Sequence, residues 1–271
     1  MDTKGSQVGF NREYSGLQLR YNALKEQVAN QIEILNNQVN VVGPNIRSRY
    51  MMLVGQFEYR IYELDADIAR WKRRFTLRQA ALNMGEKPDY LAIERQLDEE
   101  FAEYLAKIEA NVKEIKSASL LYHSRKMGDS ECTDFRVLYL DAVKLLHPDL
   151  NPNLPQAAKD LWNEITKAYE ARDWAQVKYL AGLAKEVAEG ERAFDASADG
   201  IAALRGACER LQERSAEIQA EMEELHKHLP FTYDVLLDDE ELLEKRREEL
   251  KEQIREREES VRAYEEEWKN G

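Results

Sequence analysis

Glycine and proline are scarce, 12 Gly and 6 Pro in 271 residues, about half of ordinary usage. A β-sandwich or barrel turns about every ten residues, and this chain lacks the residues for so many turns. No apolar run approaches the roughly eighteen residues of a membrane helix, so the expectation is a soluble protein. The opening stretch MDTKGSQVGFNREYSGLQLR has no apolar core and does not read as a signal peptide. Cys132 and Cys208 are the only cysteines; they make neither a disulfide framework nor a C-x-x-C metal pair, and the expected compartment is a reducing cytoplasm. Histidine is also rare: His123, His147, His226 and His228. His226 and His228 sit two apart on a helical pattern and point to different faces. With no G-x-S-x-G, P-loop or H-E-x-x-H present, the expectation is no catalytic residue, no metal and no cofactor.

What the chain does have is charge and apolar mass, 34% charged and 43% hydrophobic residues with 13 Tyr, 7 Phe and 4 Trp. That composition suits long helices and coiled coils and excludes a disordered chain. The net charge of −13 is uneven. Residues 209–271 carry 21 acidic against 11 basic residues, whereas residues 1–80 carry 8 against 12. An acidic chain is a poor general nucleic-acid binder, because phosphate neutralisation supplies most of that affinity. Arg70, Lys72, Arg73, Arg74 and Arg78 form one local basic cluster, read as a solvated helix face beside Ile68, Trp71 and Phe75.

Helical spacing dominates. Leu17, Tyr21, Leu24, Val28, Gln31 and Leu35 alternate steps of 4 and 3, a heptad seam with one polar interruption, on a helix expected from about Phe10 to Val42. Gly43-Pro44 is expected to stop it. A second helix is expected over 46–82, and a third from about Asp89 with Leu97, Phe101, Tyr104, Ile108, Val112 and Ile115. These three should fold back on one another as an antiparallel array. Near the other end, Ile201, Leu204, Cys208, Leu211, Ser215, Ile218, Met222, Leu225 and Leu229 repeat strictly at 3 and 4. A further seam runs through Leu243, Leu250, Ile254, Val261, Tyr264 and Trp268, with Arg247 and Arg257 on it. Two seams joined by a short link containing Pro230 predict an antiparallel coiled-coil hairpin over 196–271.

Between these arms, residues 134–172 read DFRVLYLDAVKLLHPDLNPNLPQAAKDLWNEITKAYEAR. An amphipathic helix with Phe135, Leu138, Ala142, Leu145 and Leu146 runs into His147-Pro148-Asp149. After Asn151-Pro152 and Pro155, a second helix opens near Gln156 and shows Leu161, Trp162, Ile165, Ala168 and Tyr169. Asp173 is positioned to cap a further helix at Trp174.

The tripeptide, the returning helix and its Ala168-Tyr169-Glu170 element together resemble the J domain of DnaJ-type co-chaperones. The resemblance covers about 40 residues, and the tripeptide arises by chance only ~0.005 times per chain of this composition. It implies that His147, Pro148 and Asp149 form a docking turn for a DnaK-type chaperone, helped by Arg136 and Lys144 on the preceding helix, which also carries Asp134 and Asp141. It also implies a core of Leu138, Trp162, Ile165 and Tyr169. Proline pre-sets such a turn, His147 offers a donor and an acceptor, and Asp149 offers a carboxylate for a partner arginine. The plainer reading is a turn in which Asp149 accepts local backbone hydrogen bonds and His147 is solvated.

The expected fold is therefore all-α: a helical N-terminal arm over 1–117, a small J-like domain over 118–190, and a coiled-coil hairpin over 196–271. The expected function is a cytoplasmic DnaJ-like co-chaperone that stimulates a DnaK-type ATPase, its arms selecting a client. The alternative is a coiled-coil scaffold carrying a vestigial J-like module. Self-association through the seams, within or between chains, stays open.

Overall fold

The computed structural model describes residues 3–124, 129–187 and 194–270, without the side chains of 3–11, 129–132 and 185. Cys132 thus lies outside the described side chains. The described residues are helical with no strand: α1 (Thr3–Asn37), α2 (Gly43–Tyr50), α3 (Gln56–Asn83), α4 (Tyr90–Glu100), α5 (Ala102–Tyr122), α6 (Asp129–Leu146), α7 (Gln156–Glu170), α8 (Trp174–Gly182), α9 (Ala184–Val187), α10 (Ala198–Leu225), α11 (Asp234–Leu237) and α12 (Glu240–Asn270). The all-α expectation holds.

Gly43-Pro44 does not stop the first helix. A π-helical turn over Gln38–Val42 leads into α2, and the Gly43 N–H reaches the Gln38 carbonyl five residues back. The wider turn relieves the clash of the proline ring with the preceding carbonyls, and the N–H that proline lacks is absorbed where the hydrogen-bond register slips. A second π turn over Met51–Gly55 joins α2 to α3. The expected stop at 83–85 is real: Gly85 takes φ +74, and the Glu86 N–H closes on the Ala81 carbonyl. Asp89 then caps α4, its carboxylate accepting from the Leu91 and Ala92 N–H groups. The expected third helix is two, α4 and α5, broken at Phe101 (φ −101, ψ 5).

The chain forms two compact units, 1–44 with 125–231 and 45–124 with 232–271. This division replaces the three consecutive domains expected from the sequence. The N-terminal arm is shared between the units, and residues 196–271 do not form a hairpin of their own. α10 belongs to the first unit and packs on α1; α12 belongs to the second and packs on α3.

In the first unit, α10 runs parallel to α1. Arg205 pairs with Glu13, and Arg20 donates to the Gln212 side chain at 2.7 Å, both 192 residues apart. The α10 seam is buried from Ile201 through Ile218, while Leu229 beyond its end is 64% exposed. The polar interruptions of the two seams meet: Gln31 donates to the Ser215 carbonyl at 3.3 Å, and Gln27 donates to the Ser215 hydroxyl at 2.8 Å. Polar seam positions that meet one another fix register. The rest of the core is α6, α7, α8 and α9 packed with this pair.

In the second unit, α12 also runs parallel to its partner. Arg246 pairs with Glu58 at 2.8 Å and Arg257 with Asp65 at 2.8 Å, and Trp268 meets Trp71 and Phe75 edge-on. The two arginines on the α12 seam are thus explained, Arg257 by Asp65 and Arg247 by lying over the Phe57 ring. The arginines of the basic α3 cluster are paired rather than simply solvated, while Lys72 is exposed. Arg74 and Arg73 grip Glu94 and Glu100 with two hydrogen bonds each, and Arg70 reaches Glu94 and Asp98. Arg78 lies over Phe75 and Trp268.

Candidate functional site

The last turns of α6 bury Tyr139, Ala142, Val143 and Leu146 completely or nearly so, which fixes where the chain leaves the helix. The His147 N–H closes on the Val143 carbonyl at 3.0 Å. The His147 carbonyl in turn accepts from the Leu150 and Asn151 N–H groups. Asn151, itself buried, donates to the Lys144 carbonyl at 2.8 Å and accepts from the Lys25 ammonium at 2.9 Å. Helix ends leave carbonyls without helical partners, and Asn151 satisfies one of them here. Leu150 is buried beneath the turn. Proline fixes φ in the middle of the tripeptide, and these bonds tie the residues on either side of it.

His147 is not solvated. Its side chain is 17% exposed, and its ring meets the Trp162 ring edge-on at 5.1 Å and 70°. The Asp149 N–H donates to His147 Nδ1 at 3.1 Å, so Nδ1 is an acceptor and the neutral ring carries its proton on Nε2. Burial brings the His147 pKa down to about 4; the nearby Asp149 carboxylate opposes that fall and Arg214 adds to it. Near neutral pH the ring is uncharged.

The Asp149 carboxylate is engaged elsewhere than in its own turn. Arg214 of α10 donates through Nε to Asp149 Oδ2 at 2.6 Å, and through Nη1 to Glu217 at 3.1 Å and Glu221 at 2.9 Å. Burial would lower the Arg214 pKa, but its bonds to Glu221, Asp149 and Glu217 outweigh that and hold it above its ordinary value. The basic residues of α6 are also paired within the unit. Lys144 meets Glu26 at 2.7 Å and Arg136 meets Glu33 at 3.0 Å, both carboxylates on α1. Burial raises the Glu33 pKa, and the Arg136 charge and hydrogen bond offset only some of that rise.

The structure brings His147, Pro148, Asp149, Arg136 and Lys144 onto α6 and its following turn. Trp162, Ile165 and Tyr169 are buried on α7 as expected. Leu138 is only half-buried, and the central α6 residue is Tyr139, packed against Tyr169 at 4.5 Å between ring centres. Phe135, Tyr139, Ala142 and Leu146 are spaced 4, 3 and 4, a stripe that selects Tyr139. Arg214, Glu26 and Glu33 escape sequence reasoning, since no local pattern links them to the tripeptide.

A cavity of about 700 Å³ opens beside the turn, between Leu150–Pro155 and α10 residues Ala203, Ala207 and Leu211. Among the described residues no group of His, Cys, Asp or Glu is arranged to hold a metal, and no helix is long and apolar enough to cross a membrane. No family model matches the chain, and no curated protein or solved structure is significantly similar to it.

Proposed function

We propose that the chain is a DnaJ-like co-chaperone that docks through His147, Pro148 and Asp149 on a DnaK-type chaperone and stimulates its ATP hydrolysis. The observation that carries this reading is the hydrogen-bonded turn between two packed helices. α6 ends at Leu146, the tripeptide follows at once, and α7 returns with Trp162, Ile165 and Tyr169 packed on α6. That is the arrangement the J-domain resemblance implies. Pro148 and Asp149 are exposed at the tip. A turn held in one conformation loses little entropy on docking. Arg136 and Lys144 lie on the helix that leads into the turn and would join the docking surface on release from Glu33 and Glu26. In this reading the catalytic residues belong to the partner, the compartment is cytoplasmic, and the remaining helices serve client choice or self-association.

A second reading has its own support. The pairing of Asp149 with Arg214, and of Arg136 and Lys144 with α1, is what a scaffold would use to tie a vestigial J-like module to its frame. The two separate on one measurement, ATP turnover by a DnaK-type chaperone with and without this chain. Acceleration that is lost in Asp149→Asn supports docking; an unchanged rate supports the scaffold.

A further inference from the structure

The three charged groups that would meet a partner, Arg136, Lys144 and Asp149, are each already paired inside the first unit. Among them the Asp149–Arg214 pair is distinctive. One guanidinium is shared by three carboxylates, Asp149, Glu217 and Glu221, within 3.1 Å. One positive charge among three negative ones leaves a surplus of acceptors, and a guanidinium fork matches carboxylates through several donors at once. The surrounding side chains are partly solvated, Arg214 being 28% and Asp149 34% exposed. The pair is reachable from solvent, so a competing guanidinium can approach Asp149 without uncovering a fully buried charge.

We infer that Arg214 is an internal stand-in for a partner's arginine, and that docking exchanges the one guanidinium for the other at Asp149. This rests on the co-chaperone reading. The partner chemistry is accordingly a guanidinium presented on the surface of the ATPase. The exchange needs only a side-chain swing. The apolar seam of α10 stays buried on α1, and when Arg214 leaves, Asp149, Glu217 and Glu221 stand as an acidic receptor beside the exposed Pro148. Wild type therefore docks below its intrinsic affinity, reduced by the fraction of time that Arg214 is away.

The test uses the full chain titrated against a DnaK-type chaperone, with single-turnover ATP hydrolysis as the readout, and in parallel the rate of His147 carbethoxylation in the chain alone, followed by mass spectrometry. Arg214→Gln should lower the half-maximal concentration by about three- to tenfold, and should speed modification of His147. Arg214→Lys keeps the charge but loses the fork, and should fall between the two. Adding Asp149→Asn should abolish stimulation in either background. Equal half-maximal concentrations for wild type, Arg214→Lys and Arg214→Gln, with His147 modified at one rate, would overturn the exchange while leaving the co-chaperone reading intact. Stimulation by neither wild type nor Arg214→Gln would overturn the co-chaperone reading, and the exchange with it. Stimulation by Arg214→Gln alone would support both.

Discussion

The imidazole of His147 stands edge-on against the indole of Trp162, their centres 5.1 Å apart. A tripeptide side chain expected in solvent is thus part of the seam between α6 and α7. The charges that act on it are Asp149, 3.9 Å from Nδ1 in the same turn, and Arg214 from α10.

His147→Gln should therefore destabilise the chain by about 1–2 kcal/mol, since it removes a packed ring and the Nδ1 acceptor of the Asp149 N–H. Thermal or urea unfolding at pH 7 checks this, and a change below about 0.5 kcal/mol would place the ring back in solvent. The same site gives a pH signature. The folded pKa is lowered to about 4, whereas the unfolded value is near 6.5. The unfolded chain thus binds the extra proton between these values, so this contribution is complete above pH 6.5 and lost on acidification towards pH 4. The loss is on the order of 3 kcal/mol. It should appear as the difference between the wild-type and His147→Gln stability curves, which cancels the carboxylates common to both.

Tyr139 and Tyr169 form the centre of the α6–α7 contact, both nearly without exposure. Tyr169→Ala should cost about 3–5 kcal/mol. Tyr139→Phe is a finer probe, because the Tyr139 hydroxyl accepts from Asn36 Nδ2 at 2.9 Å and so links α6 to α1. Its loss should cost about 1 kcal/mol with helicity unchanged. A Tyr139→Phe chain as stable as wild type would mean that water replaces the tyrosine for Asn36 at no cost.

Much of this architecture is legible in the sequence, and where it is not, the causes are physical. Spacing of 3 and 4 locates the seams, because periodicity reports which face of a helix is buried. It does not report against what. A short link favours neighbours, so the sequence points to the Ile201–Leu229 and Leu243–Trp268 seams as partners in an antiparallel hairpin. They are buried instead on α1 and α3, nearly two hundred residues away. Gly43-Pro44 misleads for a different reason: a π turn absorbs a proline that an α-helix would not. At the turn, His147, Pro148 and Asp149 are legible as a rigid unit. Arg214 is not, because an ion pair 65 residues apart follows from tertiary packing alone.

The parallel register makes a direct prediction. With Cys132 and Cys208 replaced by Ser, cysteines placed at Arg20 and Gln212 should be joined by a short bismaleimide in the full chain, because those side chains already hydrogen-bond at 2.7 Å. Cysteines at Asp65 and Arg257, paired at 2.8 Å, should join equally well. A cross-link from Leu211 to Leu250 in place of these would restore the hairpin.

The basic stripe of α3 offers the last test. Arg70, Arg73 and Arg74 are held by Glu94, Asp98 and Glu100 of α4. The Arg73 hydrogen bonds bring the Glu100 pKa down to about 2, and Arg74 is the leading cause of a lowered Glu94 value. Both carboxylates stay charged well below neutral pH, so Arg73 and Arg74 stay paired throughout the physiological range. Replacing Glu94, Asp98 and Glu100 together with Gln, Asn and Gln should therefore unmask it. The carboxylates of these pairs are at least one-third exposed, so the stability cost should be small. Nonspecific affinity for duplex DNA at low salt should rise several-fold, with a steeper salt dependence as up to three arginines become available to phosphates. Equal and weak DNA binding by the wild-type and substituted chains, measured by fluorescence anisotropy at about 50 mM salt, would show that α4 is not what keeps the stripe from nucleic acid.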